Sequence, residues 1–260
     1  MIGNPAYPTY QVFLAVFVSA AITCLLMPPF IRLMKHEHLG QQVRADGPQR
    51  HLIKQGTPTM GGVVILLGIV LTCVLLAKWT PDLVLALLAM LVTGSLGLLD
   101  DIESVAHKRS LGLTPPQKMA GLILISVTFC LVAVNVIGIS PELRFPGGLV
   151  LDLGVLSSTL TIGSVTFTVQ RGAVPWIYLV FVFFLMAGLS NAVNLTDGLD
   201  GLAGGCTMVV MLVMAMVAFR YQEINLAIFA ASIAGACVGF LWHNCYPATI
   251  FMGDTGSLAL

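Results

Sequence analysis

Polar residues in this chain come in short clusters, and between the clusters run long stretches with almost no charge. Seven apolar runs stand out: Val12–Leu33, Met60–Ala77, Leu83–Leu99, Met119–Ile139, Val174–Ala192, Leu202–Phe219 and Ile224–Trp242. A helix that crosses a bilayer needs about 20 mostly apolar residues, because each residue rises only about 1.5 Å. The runs therefore predict an all-α polytopic membrane protein with about seven transmembrane helices. The first run contains Pro28-Pro29, where a kink is expected. The second and third are short for a full crossing, and Lys78-Trp79 between them suits an interfacial anchor. One segment has a different period. Leu143 to Arg171 carries the alternation Val165-Thr166-Phe167-Thr168-Val169 after Pro146-Gly147-Gly148, which predicts a small external β-hairpin. No internal repeat or low-complexity linker divides the chain, so residues 1–260 read as one integral membrane domain.

Composition supports the membrane reading. Charged residues make up 9% of the chain, against about 25% in a soluble domain, and the mean hydropathy is +0.95. Net charge is zero, so no basic surface points to nucleic acid. The six cysteines are scattered and none forms a CxxC pair, which suits small packing residues. Met1 to Tyr10 holds no Lys or Arg, so the first run is expected to be a retained helix and not a signal peptide. With seven crossings, Arg32, Lys35, Arg44, Arg50, Lys54, Lys108, Arg109 and Lys118 fall on one side. Lys78, Arg144, Arg171 and Arg220 fall on the other. The richer side is expected to be cytoplasmic, which puts the N-terminus outside.

The acidic residues sharpen the picture, because acidic side chains contribute little to orientation and did not enter that assignment. Glu37, Asp46, Asp100, Asp101, Glu103, Asp197, Asp200 and Asp254 all lie on the inferred cytoplasmic side. Carboxylates at a membrane surface are costly unless hydrated, paired or metal-bound. Like charges held together repel, and a divalent cation relieves the repulsion. Magnesium takes one or two carboxylates together with substrate phosphate oxygens. Gly198, Gly201, Gly253 and Gly256 would let the backbone come close to a phosphate. Asp197 and Asp200 are three apart, so one helical turn would place them on one face. Each element also has a plain structural reading. Asp100-Asp101 could be a solvated helix end, Asp197 or Asp200 could cap the sixth crossing, and Asp254 could cap a following helix.

Four strings occur together in this chain: Lys54-Gln55-Gly56-Thr57-Pro58-Thr59-Met60-Gly61-Gly62, Gly97-Leu98-Leu99-Asp100-Asp101, Asn191 to Ala203, and Asn244 to Leu260. In order and spacing they resemble the polyprenyl-phosphate N-acetylhexosamine-1-phosphate transferases, most of all the bacterial phospho-N-acetylmuramoyl-pentapeptide transferase branch. The resemblance implies UDP-N-acetylmuramoyl-pentapeptide and undecaprenyl phosphate as substrates, lipid I and UMP as products, and Mg2+ as cofactor. It implies a bacterial cytoplasmic (inner) membrane, peptidoglycan synthesis, and a site that faces the cytoplasm. Carried across, Asp254 would be the metal ligand, and Asp100 and Asp101 the catalytic pair. Asn194, Asp197, Gly198, Asp200, Asn244 and Phe251 would line the nucleotide pocket, while Lys54 and Thr59 would hold the nucleotide substrate from the first cytoplasmic loop. Direct attack by the lipid phosphate and a phosphoryl-enzyme route both remain open, as does a homodimer.

The family continues past the segment in which this chain stops at Leu260, through further helices and a histidine-rich loop. The sequence thus reads as truncated and is expected to be inactive alone. Three rivals share features with this reading. A sister enzyme acting on UDP-N-acetylglucosamine would have the same aspartates. A secondary transporter would place its charges near the midplane on broken helices, whereas the middles of these seven runs carry none. A structural role would not require the carboxylates.

Overall fold

The computed structural model describes residues 8–36, 56–107, 112–145, 148–154, 157–158, 161–162, 165–166 and 174–260. The chain divides into two compact units, Met1–Pro115 with Ser190–Leu260, and Pro116–Leu189.

The first unit is built from α1 (Pro8–His36), α2 (Gly62–Leu76), α3 (Pro81–Ala106), α6 (Leu202–Arg220), α7 (Ile224–Asn244) and a short α8 (Gly253–Ala259). It also takes in the last residues of α5 (Trp176–Thr196). Helix α7 lies at its centre and packs against α1, α2, α3 and α6. Its sequence explains this position. Ala227, Ala230, Ala231, Ser232, Ala234, Gly235, Ala236 and Gly239 are all buried, and small residues let helix backbones approach closely. A side chain at Gly235 would collide with the backbone of Val16 on α1. The Ser19 hydroxyl of α1 donates to the carbonyl of Ser232 at 2.6 Å. Ser and Thr side chains within these helices often donate to the carbonyl four residues back, as Thr72 does to Gly68, whereas the buried Thr23 hydroxyl of α1 has no partner among the described residues.

Among the described residues six helices are long and apolar enough to cross a membrane: those over Tyr10–His36, Pro81–Ala106, Pro115–Ile137, Trp176–Thr196, Leu202–Arg220 and Ile224–Asn244. The protein is a multi-pass, mostly helical membrane protein, as the apolar runs predict. Two boundaries differ. The run Met60–Ala77 yields only the 15-residue α2, about 22 Å long and short of a ~30 Å hydrocarbon core. Its start is delayed because residues 58–62 pair with residues 251–252 and Met60, at φ +67°, breaks the helical path just before it. Phe251 N–H donates to the Pro58 carbonyl at 2.8 Å, Gly61 N–H to Phe251 at 2.9 Å and Gly62 N–H to Met252 at 2.8 Å. The run Leu83–Leu99, which looked short, belongs to the 26-residue α3, which continues past Asp100 and Asp101 to Ala106. Thr80 caps its start and Pro81 occupies the first turn. Pro28 and Pro29 lie inside α1, which runs through both.

The second unit holds α4 (Pro115–Val132), nearly all of which lies within it, a π-helical turn over Ala133–Ile137, and short strands. Gly138, at φ +83°, ends the turn. Strands β1 (Glu142–Arg144) and β2 (Val150–Asp152) pair antiparallel, with Leu143 opposite Leu151. A nested pair follows: β3 (Ser157–Ser158) with β6 (Val174–Pro175), enclosing β4 (Thr161–Ile162) with β5 (Val165–Thr166). Among the described residues the single predicted hairpin is therefore three short ladders. Phe167 to Val169 lie outside the described residues. The second unit carries none of the candidate site residues.

Candidate active site

The site forms where the C-terminal ends of α3, α5 and α7 reach the first turn of α8. Asp100 and Asp101, near the end of α3, are each 7% exposed. Neighbours on a helix point about 100° apart, and these two take different partners. Asp100 Oδ1 accepts from the Leu113 N–H at 2.8 Å. Asp101 turns to α8: its Oδ1 accepts from Asp254 N–H at 3.0 Å. Its Oδ2 accepts from Thr255 N–H at 2.9 Å and from the Thr255 hydroxyl at 2.6 Å. The first N–H groups of a helix have no partner within it, so Asp101 satisfies two of them from 150 positions away in the chain. Gly97, one turn earlier on α3, makes the approach feasible, since a side chain there would run into the Asp254 carbonyl.

Asp254 is held from a second direction. Asn194, in the last turn of α5, donates through Nδ2 to Asp254 Oδ1 at 2.7 Å and to the Ser257 hydroxyl at 2.8 Å. Asp197 follows in the turn that joins α5 to α6, where it accepts a bond from the Gly253 N–H. Burial is the main reason its carboxyl titrates at about 7, above the usual carboxylate range. The charges of Asp254 and Asp101 push the same way, Asp200 adds a smaller effect, and the Gly253 bond opposes them. Asp197 thus feels the field of three other carboxylates, and the four come from three distant segments.

Asp200 Oδ2 accepts from the Ala248 N–H at 3.2 Å. Asn244, 2% exposed, accepts from Gly201 N–H at 2.9 Å and donates to the Ile250 carbonyl at 2.9 Å. The Asn244 side chain therefore ties the α5–α6 turn to the 245–252 loop. Phe251 is half-buried, with its backbone paired to Pro58 and Gly61. Thr59, in that paired segment, is buried, which brings the first-loop string directly against the loop that carries Asp254. Gly198 is exposed in the α5–α6 turn. Lys54 lies outside the described residues.

Two expectations are corrected. Asp197 and Asp200 do not share a helical face, because residues 197–201 form a turn. Neither caps α6, whose cap position is Gly201 in the left-handed conformation with no side-chain bond. Sequence reading also passed over Thr255 and Ser257 as site residues. A signal existed: Asp254 and Ser257 are three apart, so a helix places them on one side, where one amide can reach both.

Among the described residues no three His, Cys, Asp or Glu side chains gather as a ready metal cage. Magnesium takes phosphate oxygens beside one or two carboxylates and keeps several waters. The mutual repulsion of Asp197 and Asp254, strong enough to help lift the Asp197 titration, is the local feature that a divalent cation would relieve.

The description of glycosyl transferase family 4 matches residues 83–260. A first signature of the phospho-N-acetylmuramoyl-pentapeptide-transferases matches residues 54–66. The chain is 39% identical over 254 residues to the phospho-N-acetylmuramoyl-pentapeptide-transferase of Bacillus subtilis, an alignment covering 96% of this chain and 72% of that relative. It is 38% identical over 254 residues to the protein of that name from Rubrobacter xylanophilus, with the same coverage. For the one from Desulforudis audaxviator the identity is 40% over 264 residues, covering 96% and 73%. The chain belongs to glycosyl transferase family 4 and, within it, to the phospho-N-acetylmuramoyl-pentapeptide-transferases.

Proposed function

We propose that this protein transfers phospho-N-acetylmuramoyl-pentapeptide from its UDP-linked donor to undecaprenyl phosphate at the cytoplasmic face of the inner membrane. An oxygen of the lipid phosphate forms a bond to the sugar-bearing phosphorus of the donor. The bond from that phosphorus to the bridging oxygen breaks, and UMP leaves with that oxygen; the lipid product is lipid I. The observation that carries this reading is the meeting of Asp101, Asp197 and Asp254 at one helix start. A soluble diphosphate and a lipid head group can meet there.

Asp254, oriented by Asn194, would hold Mg2+, with Asp197 facing the same charge. The bound ion would neutralise charge on the diphosphate and on the departing phosphate. The attacking lipid phosphate is already an anion, so alignment and charge neutralisation matter more than a strong base. Asn244 and Asp200 fix the shape of the α5–α6 turn beside the nucleotide. The match of residues 54–66 to the muramoyl-pentapeptide signature favours that donor over UDP-N-acetylglucosamine.

The test supplies the full-length protein in detergent with undecaprenyl phosphate, Mg2+ and either UDP-sugar. UMP release with UDP-N-acetylmuramoyl-pentapeptide, lost on adding a chelator, is expected. Preference for UDP-N-acetylglucosamine would overturn the substrate assignment, and release that survives the chelator would overturn the metal.

A further inference from the structure

Asp100 and Asp101 look alike in the sequence, but the structure gives them different work. We infer that Asp101 is a positioning residue that acts through Asp254, with Thr255 as its partner. The inference rests on the reading of Asp254 as the residue that holds the divalent cation.

Both oxygens of Asp101 are committed to the start of α8, where they take the N–H groups of Asp254 and Thr255 and the Thr255 hydroxyl. The backbone closes directly on this carboxylate. Gly253 sits at φ +75°, and a side chain there would come within 2.7 Å of Asp101 Oδ2 and 3.0 Å of the Met60 nitrogen. Thr255 is 1% exposed, so its hydroxyl bond is shielded from water. The Asp254 carboxylate is then aimed by two anchors: Asp101 fixes the backbone from which it projects, and Asn194 fixes one of its oxygens. Asp100 Oδ1, by contrast, is bonded to the Leu113 N–H. Groups that orient a metal ligand through hydrogen bonds commonly change metal affinity by about 10–100-fold when removed. An Asn at position 101 would present an amide N–H2 group to one of the α8 donors and so repel it.

The experiment measures Mn2+ binding to the purified chain by electron paramagnetic resonance, with no substrate present. Asp254→Ala is expected to abolish binding, Asp101→Asn to weaken it by about 10–100-fold, and Thr255→Val to weaken it in the same direction. Thr255→Ser, which restores the hydroxyl, is expected to return it to wild-type strength. Asp100→Asn is expected to bind Mn2+ as the wild type does. If Asp101→Asn fails to fold, the Thr255 pair carries the test. Wild-type Mn2+ affinity in Asp101→Asn and Thr255→Val, with Asp254→Ala still deficient, would overturn the positioning role alone. Equal weakening by Asp100→Asn would overturn the division of labour. Undiminished binding in Asp254→Ala would overturn the metal reading beneath it.

Discussion

Single positions in this site are constrained by backbone as much as by charge. Gly253 combines a left-handed φ of +75° with a carboxylate directly over its Cα. The left-handed region costs a non-glycine residue roughly 1–2 kcal/mol, and an added methyl would also displace Asp101. Gly253→Ala should therefore lower thermal stability in detergent by about that amount and reduce UMP release. Gly205→Ala, in open space on α6, should change neither. Equal loss from both substitutions would mean that Gly253 has no special role. The sequence marked these aspartates as candidates but not how their partners divide. Asp100 and Asp101 are adjacent letters, and their different partners, Leu113 and Thr255, depend on helix rotation and on a loop 150 residues away.

At the scale of elements, the α5–α6 turn is the part most sensitive to protons. Asp197 titrates at about 7 in the folded protein without metal. A carboxyl whose folded pKa lies above its unfolded value near 3.9 binds more proton when folded. Its contribution to stability therefore falls as pH rises from about 4 through about 7. Melting temperature without metal should drop between pH 5 and pH 8, less so in Asp197→Asn, and Mg2+ should restore more of it at pH 8 than at pH 5. An identical drop in Asp197→Asn would remove this residue as the cause. Helix interiors were legible from apolar runs, but helix ends were not. The run ending at Leu99 stopped where charge began, yet α3 continues to Ala106 because Asp100 and Asp101 find N–H partners across the fold. The start of α2 was hidden for a related reason: residues 58–62 pair with residues 251–252, a contact that no local pattern encodes.

For the molecule as a whole, the membrane architecture could be read from hydropathy alone, since bilayer thickness sets a length that few soluble helices imitate. What the strings could not reveal was contact: that Asn194 reaches Asp254 and Ser257, or that Asn244 stitches two loops together. The central claim is that Asp254, positioned by Asp101 and faced by Asp197, holds one divalent cation where three distant segments meet. The most direct measurement replaces Mg2+ with Fe2+ and maps where ascorbate and peroxide cut the backbone of the purified chain. Cuts near Asp101, Asp197 and Asp254 together, suppressed by excess Mg2+ and absent in Asp254→Ala, are the predicted result. Cuts confined to one of these segments, or a pattern unchanged in Asp254→Ala, would contradict it.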